Sequence, residues 1–349
     1  MNNKKYNVLI TSYLEPEYVA EIAAVDERLN VINRPDLIPP PRYIADHNGS
    51  PDFKRSTEQE AQWQELLAQA DILFDFDHSH RYDLPDLIPN VRWIQFTSSG
   101  VGAFVHNAKY DERLPHTVFT TASGVHAQPL AEFVLMVMLM FSNNLQRIQE
   151  YQEIKKWERF TGTDLLDSVL TIVGVGRVGR KIAHFAQAVG MRVNGVDIEA
   201  ANMNIDELPI DALYHIDDLM GILPETNFLV LIAPHTPQTE NMIGRDQLRA
   251  LPQGAVVINV GRGSLMNEQE LIDALQDGHL AGAGLDVFAK EPLPVDSPLW
   301  DMPNVLVSPH SGSTSDKENR RITNLFIENI KRFLAEKPLL NVLDTKKMY

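Results

Sequence analysis

The chain has 349 residues, 44% of them apolar, a formal net charge of −16 and no cysteine. That length suits two domains of ordinary size, each with its own core. The acidic balance argues against nucleic acid or an anionic membrane as a partner, and the absence of cysteine excludes disulfides, thiolate catalysis and cysteine-rich zinc sites.

The N-terminal apolar stretch, residues 6 to 11, is too short for a signal-peptide core and reads as a buried strand. A helix is expected near 15 to 25 and a second strand from Leu29. Residues 34 to 54 carry Pro35, Pro39, Pro40, Pro41 and Pro51 with Asn48-Gly49, the composition of a loop or insertion. Helix returns at 56 to 70, followed by strands at 71 to 76 and 91 to 96. Residues 127 to 147 read as a largely apolar, buried helix. Its longest apolar run, Phe133 to Phe141, is far below the roughly 20 residues of a membrane span. A cytoplasmic protein without membrane partners is therefore expected. Further strands are expected at 169 to 174, 192 to 197, 228 to 233, 255 to 260, 282 to 287 and 305 to 308, with a long amphipathic helix at 315 to 335. Strands alternating with helices predict an α/β chain of parallel, doubly wound sheets.

Gly174, Gly176 and Gly179 have the G-x-G-x-x-G spacing between a strand and a helix. Glycines there permit a tight turn, close approach to a pyrophosphate and close helix packing, while the helix N-terminus faces the phosphates. The next strand ends in Asp197, 18 residues after Gly179, where a carboxylate can accept hydrogen bonds from a ribose 2′-hydroxyl. It would repel a 2′-phosphate, and Ile198 rather than an arginine follows, so NAD is expected over NADP.

Downstream, Asn-Val-Gly-Arg-Gly-Ser-Leu (259 to 265), Gly-Leu-Asp-Val-Phe-Ala-Lys-Glu-Pro-Leu (284 to 293) and Ser-Pro-His-Ser-Gly (308 to 312) follow the glycine turn in order. In these four motifs, over residues 171 to 312, the chain resembles the NAD-dependent D-isomer-specific 2-hydroxyacid dehydrogenases. The N-terminal third matches more weakly, through Ser-Ser-Gly-Val (98 to 101) and Ala-Glu (131 to 132).

The resemblance implies two Rossmann-like domains. A substrate domain of 1 to 121 plus 312 to 349 would be split by an NAD-binding domain of 122 to 311, with the two crossings as a hinge. It implies that Arg262 binds the carboxylate and carbonyl oxygen of a small 2-oxo acid through its planar fork. His310 would move the proton, since imidazole titrates near neutral pH, and Glu291 would hold the ring and favour its charged form. Ser99, Gly100 and Val101 would offer backbone N–H groups to the substrate carboxylate. Arg177, Val178, Pro234, Thr239, Val260 and Asp286 would join the three glycines and Asp197 around the cofactor. A homodimer is implied, with 127 to 147 and its neighbours as the interface.

Taken singly, each polar residue could be an ordinary surface group; together, at strand ends of one sheet, they point to a site. Phosphoglycerate is disfavoured because the 75-to-83 loop carries Asp75, Asp77 and Asp83, and formate because Glu291 is not glutamine. His78 and His80, two imidazoles without cysteine, make a weak metal site, and no metal is expected; a loop lining the substrate site is the better reading. A different class, an NAD-sensing corepressor-like protein with little turnover, can carry the same three polar residues.

Overall fold

The strands form where short β-branched and aliphatic runs can be buried on both sides. A computed structural model describes residues 4–349. The first five strands are β1 (Tyr6–Ile10), β2 (Leu29–Asn33), β3 (Ile72–Phe74), β4 (Trp93–Gln95) and β5 (Val118–Thr120). Seven more follow: β6 (Val169–Val173), β7 (Arg192–Asp197), β8 (Ala212–His215), β9 (Phe228–Leu231), β10 (Ala255–Asn259), β11 (Leu280–Leu285) and β12 (Val305–Val307). They make one parallel sheet in the order β2-β1-β3-β4-β5 and another in the order β12-β11-β10-β9-β6-β7-β8. Every residue of β6, β9 and β10 is buried, as helices on both faces of a parallel sheet require.

Each sheet anchors a compact unit, one running up to Val125 and resuming at Thr314–Tyr349, the other spanning His126–Ser313. In the five-stranded unit, the helix Thr57–Gln69 starts at a Ser56–Gln59 capping box and buries Trp63 and Leu67. The helix Glu318–Leu334 buries Ile322, Phe326 and Ile330 in a cluster with Phe74 and Trp93, whose rings lie 5.2 and 5.0 Å from that of Phe326. Those aromatic contacts are why the last long helix belongs with the first strands. In the seven-stranded unit, Val134, Val137 and Met138 of the helix Ala127–Ser142 share a core with Ile182, Ala183 and Ala186 of the helix Arg177–Ala188.

Two expectations change. The helix foreseen over 127 to 147 stops at Ser142, because Asn144 adopts a left-handed φ of 51°, and a second helix runs over Leu145–Glu153. Only one side of the first helix is buried; Met136 and Leu139 are exposed. The strand foreseen at 282 to 287 lies at Leu280–Leu285. Among the described residues no helix is long and apolar enough to cross a membrane.

The proline-rich segment 34 to 54 is an ordered loop. Leu37 and Ile38 are buried in the five-stranded unit, and the buried Asp46 is gripped by Arg42 through Nε at 2.7 Å and a terminal nitrogen at 3.0 Å. Burial pushes the Asp46 carboxyl upward, but Arg42 and two backbone N–H groups hold it below the usual carboxylate range.

Candidate active site

In the seven-stranded sheet the order of strands reverses at β6, which has β7 on one side and β9 on the other. Ligands of open α/β sheets bind beyond the carboxyl ends at such a point. The glycine turn leaves β6 there. Gly174 has φ +108°, and a Cβ on it would lie 2.8 Å from the Ala233 nitrogen; a Cβ on Gly179 would lie 2.0 Å from the Gly174 oxygen. Those two glycines are explained by the fold itself. Gly176 is not: its φ is −73° and a Cβ would meet nothing within 4 Å. The open space over Gly176, at the N-terminus of the helix Arg177–Ala188, fits a pyrophosphate that needs close backbone approach. Arg177 is exposed at the first turn of that helix, and Val178 is half-buried behind it.

Asp197 ends β7 beside the turn, accepting from the Val175 N–H at 2.8 Å and from the Glu199 N–H at 2.9 Å. The loop leaving β9 is closed by Thr239, whose Oγ1 donates to the Pro234 oxygen at 2.8 Å and accepts from the Thr236 N–H at 2.8 Å. Val260 is buried and donates its N–H to the Leu231 oxygen at 3.1 Å. These groups lie on the exits of β6, β7, β9 and β10, around the point at which the sheet reverses, so the residues present fit a dinucleotide.

Arg262, Glu291 and His310 leave β10, β11 and β12, three adjacent strands. Parallel strands side by side bring their carboxyl-end loops together, which is how residues 48 positions apart meet. His310 Nδ1 lies 2.8 Å from Glu291 Oε2, and Glu291 Oε1 accepts from the Phe288 N–H at 3.1 Å. Burial pushes the Glu291 carboxyl up, but the His310 hydrogen bond and charge, the Phe288 N–H and the Arg262 charge outweigh it and hold it below the usual range. Glu291 is therefore ionised and can only accept, so Nδ1 carries the proton of that bond and Nε2 is left for exchange. Arg262 is half-buried, with one terminal nitrogen 2.6 Å from the Gly261 oxygen. Burial draws its guanidinium below the usual arginine range, and the Glu291 charge opposes that shift.

Asp286 is buried, and its Oδ1 accepts from Ser308 Oγ at 2.6 Å and from the Ser311 and Gly312 N–H groups at 2.8 Å each. It fixes the turn that carries His310, itself at φ 55°. Ser99, Gly100 and Val101 lie in the other unit, on the exit of β4, where the Gly100 N–H donates to Ser98 Oγ at 3.3 Å. Val101 is buried and leads into the helix Gly102–Asn107.

Two residues inside the motif at 259 to 265 have roles that no sequence expectation assigned. Asn259 is fully buried; its side chain donates to the Arg262 oxygen at 3.0 Å and accepts from the Gly261 N–H at 3.1 Å, shaping the arginine turn. A polar residue ending the otherwise apolar run Ala-Val-Val-Ile-Asn is the signal that points to it. Gly263 is the second: a Cβ there would lie 1.9 Å from the Phe288 carbonyl carbon, so the arginine turn and the segment bearing Glu291 touch backbone to backbone.

Residues 135–312 match the family model described as D-isomer specific 2-hydroxyacid dehydrogenase, NAD binding domain. The glyoxylate reductase of Korarchaeum cryptofilum is 32% identical over 220 residues, 61% of this chain; the chain spans 65% of that relative, under two thirds of its length. A D-isomer specific 2-hydroxyacid dehydrogenase family protein from Aeromonas salmonicida superposes with a TM-score of 0.80 at 25% identity, covering 98% of this chain and 100% of that one. A D-isomer specific 2-hydroxyacid dehydrogenase from Xanthobacter autotrophicus, solved with NADPH and MES, gives 0.78 at 26% identity, covering 99% and 100%.

Proposed function

The chain belongs to the D-isomer specific 2-hydroxyacid dehydrogenase family, and on that premise we propose that it interconverts a small 2-oxo acid and its D-2-hydroxy acid. The observation that carries the reading is the 2.8 Å His310–Glu291 pair beside Arg262, on the exits of three neighbouring strands. When bound, a nicotinamide dinucleotide supplies or accepts the hydride. Gly174, Gly176, Arg177, Val178, Gly179, Asp197, Pro234, Thr239 and Val260 would hold it in residues 122 to 311, with Asp286 near its nicotinamide end. Residues 1 to 121 and 312 to 349 would form the substrate domain, with Ser99, Gly100 and Val101 donating N–H groups to the substrate carboxylate.

Arg262 has the donors to grip the carboxylate and the carbonyl oxygen together, drawing electron density from the reacting carbon. His310 Nε2 delivers a proton to the forming alkoxide, or removes it in the reverse direction. Glu291 fixes the ring through Nδ1 and stabilises its charged form.

NAD is proposed over NADP, because Asp197 faces the glycine turn as an anion and the exposed Ile198 offers no cation for a 2′-phosphate. The Xanthobacter relative was solved with NADPH, so the proposed preference rests on residues 197 and 198 of this chain alone. A homodimer is proposed from Met136, Leu139, Ile148, Ile154 and Trp157, exposed apolar side chains along 136 to 157, with Trp157 99% accessible. Sedimentation as a monomer at micromolar concentration removes that part.

The decisive experiment mixes the protein with NADH and a panel of 2-oxo acids and follows absorbance. Turnover of at least one acid is expected. His310→Ala should lower kcat by about 100- to 10,000-fold, and Arg262→Ala should cost kcat/KM at least as much. NADPH should be poorer by about tenfold or more, on the order of 1.4 kcal/mol. Tight NADH binding with no turnover across the panel would favour a dinucleotide-sensing protein; failure to bind either dinucleotide would end both readings.

A further inference from the structure

Gly102 opens the helix Gly102–Asn107, directly after Ser99, Gly100 and Val101. Glycine is a poorer helix former than alanine, and the φ of Gly102 is not left-handed, so neither the helix nor its own backbone asks for it. The reason lies in another segment. A Cβ on Gly102 would lie 1.8 Å from the oxygen, 2.3 Å from the carbonyl carbon and 2.8 Å from the Cα of Met348. All three nearest atoms belong to one backbone, laid directly on the residue that follows the 98-to-101 loop.

The contacts that bring Met348 there all lie within the five-stranded unit. Asn329, fully buried on the helix Glu318–Leu334, donates from Nδ2 to Gln95 Oε1 and to the Leu340 oxygen at 3.1 Å each, and accepts from the Leu340 N–H at 2.7 Å. Gln95 ends β4, the strand that runs out into the loop. Thr120 Oγ1 donates to Gln95 Oε1 at 2.9 Å and accepts from Trp93 Nε1 at 2.7 Å. Each of these four side chains is fully buried, so the network holds its geometry without competition from water. Asn341 then turns the chain at φ 56° and donates to the Ser123 oxygen at 2.9 Å. Val342 forms an antiparallel bridge with Thr120, and the Leu343 N–H donates to the Phe119 oxygen at 2.9 Å, covering the β5 edge of the sheet.

Past the bridge, the Leu343 side chain enters the core cluster that holds Val101, Val105 and Phe119. Asp344 makes the turn that follows. Its Oδ1 accepts from the Lys346 and Lys347 N–H groups at 3.0 Å each, and its carbonyl oxygen accepts from the Met348 N–H at 2.7 Å. That turn sets the Met348 backbone, at φ 65°, on Gly102. The loop 98 to 101 is therefore held on both flanks, through Gln95 at the end of β4 and through Gly102 at the start of the helix. Backbone N–H groups bind an anion well only when they are aimed before it arrives.

Resting on the reading of 98 to 101 as the loop for the substrate carboxylate, we propose that the main chain of residues 340 to 349 is a strap that aims this loop. Met348 acts through its backbone on Gly102, and Asn329 anchors the strap to the end of β4. These are positioning residues, and what they set is the affinity for the 2-oxo acid.

The test compares the full chain with a variant lacking residues 345 to 349, using NADH and the best 2-oxo acid of the panel. Removing the strap should raise KM for the acid about tenfold or more and leave kcat within about threefold, as expected when binding common to ground and transition states is lost. KM for NADH should stay within about twofold, because the proposed cofactor residues lie in the other unit. Lys346→Gln combined with Lys347→Gln keeps the main chain and should leave KM for the acid unchanged. Gly102→Ala should raise that KM as the deletion does. The two together should raise it no further, and their losses in urea midpoint should not add, because both act on one contact. Turnover with an unchanged acid KM in the deletion variant, an equal rise in the lysine variant, or fully additive losses overturns the inference and leaves the dehydrogenase reading standing. No turnover of any acid by the full chain with NADH bound counts against that reading and removes the inference with it. Where Gly102→Ala fails to fold, the deletion and lysine variants decide.

Discussion

The two sheets present their carboxyl edges in different ways. On the seven-stranded sheet each functional group sits within a few residues of its strand, in a loop shaped by its own backbone: Asn259 holds Arg262, and Asp286 holds the turn of His310. On the five-stranded sheet Ser12 and Asp75 also follow their strands closely, but His47 comes from the proline-rich loop, and a buried charge pins that loop in place. Arg55 is the hub. Its Nε donates to the Leu37 oxygen at 2.5 Å, a terminal nitrogen donates to Ser79 Oγ at 2.8 Å, and its guanidinium lies 4.6 Å over the Trp63 ring. It thereby ties the proline-rich loop to the loop of His78. Short loops hold geometry by backbone contact, whereas long ones need an ionic pin.

Removing the pin should have the largest effect on stability. Arg55 and Asp77 are 3.8 Å apart with side chains 3% and 1% exposed, and Trp63 Nε1 also donates to Asp77 at 2.5 Å. Arg55→Met keeps the stem packing and leaves Asp77 buried without its cation. Breaking a buried pair from one side costs about 3 kcal/mol or more. Urea unfolding should report that loss. A cost below about 1 kcal/mol, the value of a surface pair, would erase the contrast between the two edges.

The backbone contact on the other edge can be broken with a single methyl. Gly263→Ala would place Cβ 1.9 Å from the Phe288 carbonyl carbon and 2.0 Å from its oxygen, with no flexible side chain to give way. Overpacking of this kind costs about 1–3 kcal/mol. Because the clash lies between the arginine turn and the segment of Glu291, kcat should fall beyond what the lost stability explains. Unchanged kcat in folded Gly263→Ala would mean that the contact does not align the two.

The same contrast decides what could be read from residues alone. The glycine turn and Asp197 stand out by spacing, whereas Arg262, Glu291 and His310 stand out through the resemblance of the short motifs that carry them. Strands β6, β9 and β10 stand out as apolar runs. β5 does not, having three residues, and neither does β8, half-buried at the sheet edge, where periodicity has little to register. The meeting of Ser12 with His47, 35 residues apart, depends on Leu37 and Ile38 being buried and on Asp46 folding its loop, and no local pattern encodes that. Asn143-Asn144 was a readable stop for the helix Ala127–Ser142 but was masked by the apolar run before it.

The smallest expected effect concerns His80, in the loop that Arg55 pins. Burial pulls the His80 imidazole down, but hydrogen bonds to Asp83 and Glu60 and the charges of Asp77 and Asp83 outweigh it, so its folded value lies above the usual 6.5. A group raised on folding stabilises fully below its unfolded value, and that contribution disappears as pH rises through the folded value. His80→Ala should therefore lose more stability near pH 5.5 than near pH 9, by less than about 1 kcal/mol, because Asp83 is 59% exposed and water screens the pair. Urea midpoints of the two proteins across that range give the answer. A difference that grows with pH would mean that His80 is held neutral despite its two carboxylate contacts.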